Sequence, residues 1–416
     1  MAELKGAAIF AQSGGPTSVI NASAAGVITE AMKSGSITNV YGSAHGIRGM
    51  VNDVIYDMSK EDRKEIDLLV TTPSSALGSS RYKLKNFEDD DTDYKKLLSL
   101  FEKYDIRYMF FNGGNDSMDT CSKVSRYLAS VNYDCRVFGV PKTIDNDLWG
   151  TDHCPGYGSA AKYITTSCME VALDARVYDT GMVIIIEIMG RNAGWLAAAS
   201  ALASYTGLGP DLIYLPELPF DMDRFLGEVE TLYKKTGNVI VAVSEGVRDS
   251  DGKYVPEMSH KNLAHDAFGH TQLGGAASVL GSIVKEQLKV KVRPIELSLL
   301  QRCAAHLASK TDVDEAFLAG QLAVRYALEG KSGYMVGFER GEGADYVCNI
   351  KLLDVNEVAN KEKKIPREWI NEAGNGLNQP FIDYALPLIQ GESRIAHENG
   401  LPRFAQLKKV RATPIR

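Results

Sequence analysis

Two short polar sequences contain the residue types that phosphate chemistry needs. Residues 113–117 read Gly-Gly-Asn-Asp-Ser, and residues 141–147 read Pro-Lys-Thr-Ile-Asp-Asn-Asp. Adjacent glycines let backbone N–H groups approach an anion closely, and a helix N-terminus behind them favours negative charge. The carboxylates of Asp145 and Asp147 and the cation of Lys142 suit the activation of a hydroxyl group. Because neighbouring carboxylates repel phosphate oxygens, the pattern also predicts a divalent cation.

Each of these polar sequences follows a short apolar run, residues 108–111 in one case and residues 137–140 in the other. Runs of this length between turn residues are typical of strands buried on both faces of a parallel sheet. Residues 118–133 space their apolar side chains as a helix does. The stretch therefore predicts a βαβ unit with both turns at the carboxyl edge, where open α/β sheets bind ligands. Either turn alone could be a helix cap or a solvated loop.

Length and composition exclude several classes of protein. A chain of 416 residues is too long for one small core and suits two domains or one doubly wound pair of lobes. A net charge of −7 argues against nucleic acid as a partner, so local cations must hold an anionic substrate. The six cysteines show no metal-ligand spacing and are expected to be reduced thiols. No signal-peptide pattern and no membrane-spanning apolar run is visible, so we expect a cytoplasmic protein without a membrane partner.

The two turns resemble those of the phosphofructokinase family, whose members phosphorylate the 1-hydroxyl of fructose 6-phosphate. Members that use ATP typically carry Gly-Gly-Asp-Gly-Ser and Pro-Gly-Thr-Ile-Asp-Asn-Asp. In the branch that uses pyrophosphate, Asp replaces the later glycine of the first motif and Lys replaces the glycine of the second motif. This chain has Asp116 and Lys142 at those two positions. The chain is therefore similar to the pyrophosphate-dependent branch, and the resemblance extends in order over about residues 7–340.

The resemblance implies an α/β fold of two doubly wound, Rossmann-like lobes, with the active site in the cleft between them and a C-terminal extension. We expect residues 1–150 to form the lobe for pyrophosphate and Mg²⁺, and residues 151–300 the sugar-phosphate lobe. Residues 301–416 are expected to return across both lobes and add the extension, as a helical layer or a subunit contact. That extension contains the charged run 361–364. The family resemblance also implies a homodimer.

The resemblance further implies roles for residues along the whole chain. Asp145 is the candidate base for the sugar 1-hydroxyl, and Lys142 and Arg81 stabilise charge on the transferred phosphoryl group. Asp116 occupies the space and charge that the α-phosphate of ATP needs, which excludes ATP. The other expected contacts are Gly14, Gly15, Gly114 and Ser117 for the donor; Thr143, Ile144, Asp145, Met189, Gly190, Arg191, Glu245, Arg293 and Arg302 for the sugar phosphate; and Asn115 and Asp147 for Mg²⁺.

Three positions depart from the family pattern. Asn115 stands where the usual motif has a metal-binding Asp, and an amide oxygen is an uncharged, weaker ligand. Met182 stands roughly where allosteric bacterial members that use ATP supply an arginine across a subunit interface, so no such shared contact with the 6-phosphate is expected. Leu299 replaces a histidine that contacts the sugar. Nearby His306 could substitute for that histidine, or it could be an ordinary helix-face histidine packed near Leu307.

These expectations predict reversible phosphoryl transfer from pyrophosphate to fructose 6-phosphate, giving fructose 1,6-bisphosphate and phosphate. One alternative is an ATP-dependent 6-phosphofructokinase, against which Asp116 and Lys142 argue. Another is a non-catalytic sugar-phosphate sensor, in which Asn115 would be the inactivating change. Sedoheptulose 7-phosphate could fit the same pocket, so the sequence leaves the preferred acceptor open.

Overall fold

The structure, a computed structural model, describes residues 4–177, 179–259, 275–343 and 345–415. The strands are β1 (Gly6–Gln12), β2 (Ile37–Ser43), β3 (Ile55–Asp57), β4 (Ile106–Gly113), β5 (Arg136–Pro141), β6 (Met182–Ile188), β7 (Leu212–Tyr214), β8 (Asn238–Ser244), β9 (Val292–Glu296), β10 (Tyr334–Arg340), β11 (Cys348–Asp354), β12 (His397–Glu398) and β13 (Leu401–Pro402). The helices are α1 (Ile20–Ala31), α2 (Ile47–Val51), α3 (Arg63–Leu68), α4 (Thr92–Lys103), α5 (Asn115–Ser130), α6 (Tyr157–Ala175), α7 (Trp195–Ala199), α8 (Ala201–Ser204), α9 (Met222–Thr236), α10 (Ala276–Leu288), α11 (Leu300–Cys303), α12 (Lys310–Leu328), α13 (Val355–Val358) and α14 (Gln379–Ala385).

The first lobe is built on a seven-stranded sheet in the order β11-β10-β5-β4-β1-β2-β3. Its five inner strands run parallel, whereas β3 and β11 pair antiparallel at the two edges. Every residue of β1 is buried, and its successive side chains enter two different cores, Ile9 on one face and Phe10 on the other. An apolar strand of this kind requires helices on both faces of the sheet.

The second lobe is built on a parallel four-stranded sheet in the order β7-β8-β6-β9. Strand β6 is buried throughout, and it contains one acidic residue, Glu187. The Glu187 carboxylate accepts hydrogen bonds from the backbone N–H groups of Gly275 (3.1 Å) and Ala277 (2.9 Å). These donors belong to the first turn of α10, so the buried charge is satisfied at a helix N-terminus. The predicted α/β architecture of two doubly wound lobes with a C-terminal extension is confirmed.

Helix α12 returns from the second lobe to the first and packs across α1. The two helix backbones approach very closely, because a Cβ on Gly26 would lie 2.1 Å from the Phe317 carbonyl oxygen and one on Gly320 would lie 2.2 Å from that of Ser23. The buried Asp312 near the start of α12 accepts hydrogen bonds from the N–H groups of Gly156 (2.8 Å) and Ser159 (2.9 Å). One helix thus connects α1 of the first lobe with the N-terminus of α6.

Of the two forms expected for the C-terminal extension, a helical layer or a subunit contact, the first differs from what residues 348–354 adopt. Residues 348–354 form β11, which pairs antiparallel with β10 and completes the first sheet. Ile350 and Leu352 pack against one core and Leu353 packs against the core on the other face, which is the period of a strand and not of a helix. The tail then runs beside β3, where the Val410 carbonyl accepts a hydrogen bond from the N–H of Asp57. Of the helices described, none is long and apolar enough to cross a bilayer.

Candidate active site

A cleft of about 1130 Å³ lies between the two lobes. Its lining includes the loops that follow β1, β4, β5, β6 and β8, so the carboxyl ends of strands from both sheets face one space. It brings together most of the residues predicted from the sequence: Gly14, Gly15, Arg81, Gly114, Asn115, Asp116, Ser117, Lys142, Thr143, Ile144, Asp145, Asp147, Met189, Arg191, Glu245 and Arg302. Two predicted residues, Gly190 and Arg293, do not line it.

The loop after β1 holds Lys142 through backbone contacts. Gly14 has a φ of +76°, a left-handed conformation that favours glycine. A Cβ at Gly14 would lie 3.1 Å from the Lys142 Nζ atom, so a side chain there would crowd the ammonium group. The ammonium donates a 2.6 Å hydrogen bond to the Gly15 carbonyl oxygen, and the Ser79 hydroxyl donates one of 2.6 Å to that of Gly14. The glycine turn therefore positions a cation.

Lys142 is 3% exposed, which gives its charge an unusual environment. Burial lowers the pKa of Lys142 to about 8, although the nearby Asp145 carboxylate opposes that shift. The neighbouring Arg302 guanidinium contributes to the same lowering of the Lys142 pKa. Arg302 itself lies against the same loop, with its Nη1 atom 3.0 Å from the position of a Cβ on Gly15. Two cations thus converge on the loop after β1, in surroundings suited to a bound phosphate.

The turn after β5 is shaped by Asn146, whose part the sequence did not reveal. Its φ is +55°, and its buried amide donates a 2.7 Å hydrogen bond to the Tyr384 hydroxyl oxygen. The Oδ1 atom of the same Asn146 side chain accepts a 2.9 Å hydrogen bond from the Cys154 N–H. This anchoring leaves the flanking Asp145 and Asp147 side chains in the cleft lining.

The two aspartates of this turn share one electrostatic environment. Burial raises the pKa of Asp145, and the charges of Lys142 and Arg191 oppose that shift. Burial, together with the nearby carboxylates of Asp145 and Glu362, raises the pKa of Asp147 to about 7. The Asp145 N–H donates a 3.1 Å hydrogen bond to the Thr143 hydroxyl oxygen, which fixes the turn locally. A carboxylate that holds protons more tightly than usual is a stronger base, as hydroxyl activation requires.

Helix α5 begins at this cleft with the Asn115-Asp116-Ser117 sequence as its first turn, after the N-cap residue Gly114. Asp116 is exposed to the cleft and is not the N-cap residue. Gly113 has no room for a side chain, because a Cβ would lie 1.9 Å from the Ser117 hydroxyl oxygen. The first glycine motif thus places a carboxylate beside the positive end of a helix, facing the same space as Lys142.

Asn115 and Asp147 present the features of a site for a hard cation. The Asn115 Oδ1 atom is buried and accepts no hydrogen bond within the part of the chain that the structure describes. The Asn115 amide nitrogen lies 3.5 Å from a carboxylate oxygen of Asp147, so the two side chains adjoin. Mg²⁺ prefers oxygen ligands of this kind, and an acceptor without a donor is satisfied when a cation binds. These residues fit the metal.

The second-lobe side of the cleft is formed by two loops that pack backbone against backbone. Gly190 has a φ of +133°, and its N–H donates a 3.4 Å hydrogen bond to a Glu245 carboxylate oxygen. A Cβ on Gly246 would lie 2.0 Å from the Arg191 carbonyl oxygen, so the loops could not approach with a side chain there. Burial raises the pKa of Glu245 to about 7. Gly190 therefore supports the conformation of a loop that lines the cleft, but Gly190 itself does not line it.

Arg293 and His306 lie away from this cleft. Arg293 is exposed on β9, the edge strand of the second sheet. His306 packs edge-to-face against Tyr163, with ring centroids 6.3 Å apart, so of its two predicted alternatives the structure favours the packing one. The lining also contains residues that the sequence did not suggest, among them Asn192 and Glu362. Glu362 lies in the charged run that was assigned to the extension, and no local pattern linked it to the distant turn after β5.

Fold and site together define a phosphate-binding α/β protein with carboxylates placed for transfer to a hydroxyl. A family model described as Phosphofructokinase matches residues 7–295, and the chain belongs to the phosphofructokinase family. It is 46% identical over 409 residues to the pyrophosphate–fructose 6-phosphate 1-phosphotransferase of Xanthomonas campestris, covering 97% of this chain and 96% of that protein. It is 44% identical over 408 residues to the enzyme of that name from Halomonas elongata, with the same two coverages.

A solved structure supports the same relationship. The crystal structure of a pyrophosphate-dependent phosphofructokinase from Nitrosospira multiformis superposes with a TM-score of 0.89 at 41% sequence identity. The match covers 98% of this chain and 97% of that one. The resemblance drawn from the two glycine and aspartate motifs is therefore confirmed, and it extends through the C-terminal region as well as the family core.

Proposed function

We propose that this protein catalyses reversible phosphoryl transfer from pyrophosphate to the 1-hydroxyl of fructose 6-phosphate. The products are fructose 1,6-bisphosphate and phosphate. The observation that carries the proposal is that the Asp116 carboxylate and the buried Lys142 ammonium line one cleft with Asp145. The relatives' names specify both substrates, and they match the predicted donor and acceptor.

Asp145 acts as the general base. It takes the proton of the sugar 1-hydroxyl as that oxygen attacks the terminal phosphorus of pyrophosphate, and the bond to the leaving phosphate breaks. Burial raises the pKa of Asp145. The Asp145 carboxylate is therefore a stronger base for the proton of the sugar hydroxyl group. Thr143 and Ile144 hold the acceptor next to Asp145. In the reverse direction, the same carboxyl group returns the proton.

Lys142, Arg81 and Arg302 stabilise the charge that develops on the transferred phosphoryl group. All three line the cleft, and Lys142 and Arg302 both reach the loop after β1, in which Gly14 and Gly15 contact the donor. Gly114 and Ser117 complete the donor contacts at the start of α5. Removing one such charge costs about 3 kcal/mol in the activation barrier.

Asp116 selects the donor by repulsion. Its carboxylate faces the space where a third phosphate group would continue from the first two, and a like-charge contact of that kind costs several kcal/mol. Pyrophosphate has no third phosphate and avoids the contact. Lys142 then neutralises the shorter donor. The selection therefore combines a repulsive group with an attractive one.

Mg²⁺ would be held by Asn115 and Asp147. When bound, the metal supplies positive charge between two anionic substrates and the carboxylates of the site. The sugar phosphate is held by Met189 and Arg191, whose loop Gly190 shapes, and Glu245 accepts hydrogen bonds from the hydroxyl groups of the sugar. We place the reaction in the cytoplasm.

The active assembly is a homodimer, and Arg293 is the reason to test it. This arginine lies on an exposed edge strand and does not line the cleft of its own chain. We propose that it contacts the sugar phosphate in the cleft of a second copy. Mixing two inactive variants, Arg293→Ala and Asp145→Asn, after dissociation and reassociation should restore activity, because each hybrid dimer then has one complete site. Activity that never exceeds the mean of the two separate variants would contradict the shared site.

The proposed reaction is tested by an activity matrix of pyrophosphate and ATP against fructose 6-phosphate and sedoheptulose 7-phosphate. We expect Mg²⁺-dependent turnover with pyrophosphate and none with ATP. Asp145→Asn is the matched control, and it should lower kcat by about 10²-fold or more with KM changed little. Turnover with ATP would indicate the ATP-dependent alternative. Binding of the sugar phosphate without any turnover would indicate the sensor.

A further inference from the structure

A second group of metal-ligating side chains lies outside the cleft. It consists of His153, Glu315 and Cys348, and one ligand atom of each lies within 4.8 Å of the other two. These atoms are a ring nitrogen, a carboxylate oxygen and a thiol sulfur. None of the three residues lines the cleft, so the group is separate from the residues assigned to pyrophosphate, the sugar phosphate and Mg²⁺.

Three separate segments of the chain supply these side chains. His153 follows the turn after β5, Glu315 lies in α12, and Cys348 is the first residue of β11. Residues so far apart in the sequence produce no metal-ligand spacing, which explains why no metal motif is visible along the chain. An ion bound by all three would join the segment after β5, a long helix and the C-terminal extension.

The His153 ring is held in a fixed orientation. Its Nδ1 atom lies 2.9 Å from an Asp152 carboxylate oxygen, and the same oxygen accepts a 3.1 Å hydrogen bond from the Arg340 guanidinium. The ring also stacks on Phe338, with centroids 4.8 Å apart and planes 8° apart. A carboxylate that accepts the Nδ1 proton directs the Nε2 lone pair outward, and metal-binding histidines are commonly supported in this way.

The other ring nitrogen of His153 faces a second carboxylate. The Nε2 atom lies 2.7 Å from a Glu315 carboxylate oxygen, and both residues are buried. A neutral imidazole has one N–H group, so it cannot donate to two carboxylates at once. Either a second proton or a metal ion must therefore lie at Nε2. A proton needs Glu315 alone, whereas a metal ion also uses the sulfur of Cys348.

The ligand types favour zinc over magnesium. A ring nitrogen, a thiolate sulfur and a carboxylate oxygen are ligands of Zn²⁺, whereas Mg²⁺ prefers oxygen ligands. The second Glu315 oxygen accepts a 2.6 Å hydrogen bond from the Tyr346 hydroxyl, which orients the carboxylate. Cys348 is partly exposed on an edge strand, so an ion can enter from that side and a water molecule can complete a tetrahedral site.

Protons compete with the metal ion for these ligands. Burial and the nearby Glu315 carboxylate raise the pKa of the Cys348 thiol, so the thiol is protonated when no metal is bound. A thiol coordinates Zn²⁺ as the thiolate, and binding therefore releases this proton to solvent.

We propose that His153, Glu315 and Cys348 form a Zn²⁺ site that holds β11 and α12 to the segment after β5. The site is distinct from the Mg²⁺ position in the cleft. The proposal goes beyond phosphoryl transfer and does not depend on the identity of the phosphoryl donor.

The test is titration of the full chain with Co²⁺, a spectroscopic substitute for Zn²⁺, in the presence of excess Mg²⁺. We expect one Co²⁺ per chain with thiolate-to-cobalt charge-transfer absorption, which added Zn²⁺ should abolish. Cys348→Ser, a conservative change of a partly exposed residue, should lack this absorption and bind Zn²⁺ at least about tenfold more weakly. Cys303→Ser, the matched control at the other partly exposed cysteine, should behave as the unaltered protein does.

Thermal unfolding provides a second measurement. Zn²⁺ should raise the melting temperature of the unaltered protein and of Cys303→Ser, because an ion that joins three segments binds the folded chain in preference to the unfolded one. The rise should be absent in Cys348→Ser.

Two outcomes would overturn the proposal. The first is the absence of thiolate-to-cobalt absorption in the unaltered protein, and the second is equal absorption in Cys348→Ser. Either result would leave His153 and Glu315 as a hydrogen-bonded pair that shares a proton. Both results are independent of the activity matrix, because no substrate is present and the variants leave the cleft lining unchanged.

Discussion

The buried ammonium of Lys142 should limit activity at alkaline pH. Its pKa is lowered to about 8 by burial, and its Nζ atom lies in the donor part of the cleft, hydrogen-bonded to the Gly15 carbonyl oxygen. Only the protonated amine carries the charge that neutralises pyrophosphate. We therefore expect kcat/KM for pyrophosphate, which reports ionisations of the free enzyme, to fall as the pH rises through 8.

The magnitude follows from the pKa. One unit above the pKa roughly a tenth of the amine is protonated, so kcat/KM at pH 9 should be about tenfold below its plateau. A lysine with the ordinary pKa of about 10.4 would remain almost fully charged at that pH and show no such loss. Lys142→Arg keeps the positive charge and has a pKa above about 12, so its profile should lack the alkaline limb.

The assay is steady-state kcat/KM for pyrophosphate from pH 6.5 to pH 9.5, at saturating fructose 6-phosphate and constant free Mg²⁺, for the unaltered protein and Lys142→Arg. The arginine variant should be less active throughout, because its larger side chain must fit beside Gly14, but it should not decline further above pH 8. It is also the matched control, since ionisation of the substrates affects both proteins equally. An identical alkaline limb in both proteins would refute the reasoning.

The same pKa makes a prediction about stability. Because the folded-state pKa of Lys142 lies below its unfolded value, the unfolded chain binds this proton more tightly. The free energy of unfolding should therefore rise with pH between about 8 and 10.5, and this contribution totals about 3 kcal/mol. In Lys142→Met, the rise in the free energy of unfolding between pH 8 and pH 10.5 should be smaller by about 3 kcal/mol, as measured by urea unfolding across this pH range.

Three further outcomes are expected. The pKa of Glu245 is raised to about 7, so ionisation of this carboxyl group between pH 5 and pH 7.5 should lower the free energy of unfolding. In Glu245→Gln, the fall in the free energy of unfolding over this pH range should be smaller by about 2 kcal/mol. An unchanged pH dependence would contradict the assigned pKa. Asp312→Ala should lower the unfolding free energy by about 2 kcal/mol, because two buried N–H groups lose their acceptor, and Asp312→Asn should lose less. Gly14→Ala should raise KM for pyrophosphate, because the added Cβ lies against the Lys142 ammonium, and destabilise the fold by about 1 kcal/mol, because φ at this position is positive. The control variant Gly35→Ala has open space around the added Cβ and should show neither effect.

Local patterns were sufficient to predict the central βαβ unit. Apolar runs of strand length and turn residues lie next to each other in the sequence, and β4, α5 and β5 follow them. Helix α5 begins at Asn115, three residues before the predicted start, because the polar turn itself forms the first helical turn after Gly114. Boundaries of this kind depend on capping, which the spacing of apolar residues does not report.

Tertiary contacts explain the features that the sequence did not predict. Helices α7 and α8 separate at Ser200, whose hydroxyl donates a 2.6 Å hydrogen bond to the Ala197 carbonyl oxygen, although the alanine-rich sequence shows no break there. Asn146 shapes the turn after β5 through Tyr384, which is far away in the chain. Glu362 reaches the cleft by pairing with Leu148. Contacts between residues so distant leave no periodic signal.

Donor choice tests the central claim most directly, through the ratio of kcat/KM for pyrophosphate to kcat/KM for ATP. The measurement compares the unaltered protein with the double variant Asp116→Gly, Lys142→Gly, using fructose 6-phosphate as the acceptor. Removing one repulsive and one attractive group should lower this ratio by a factor of about 100 or more, with measurable ATP turnover in the variant. A variant that stays active with pyrophosphate and keeps the original ratio would contradict the account.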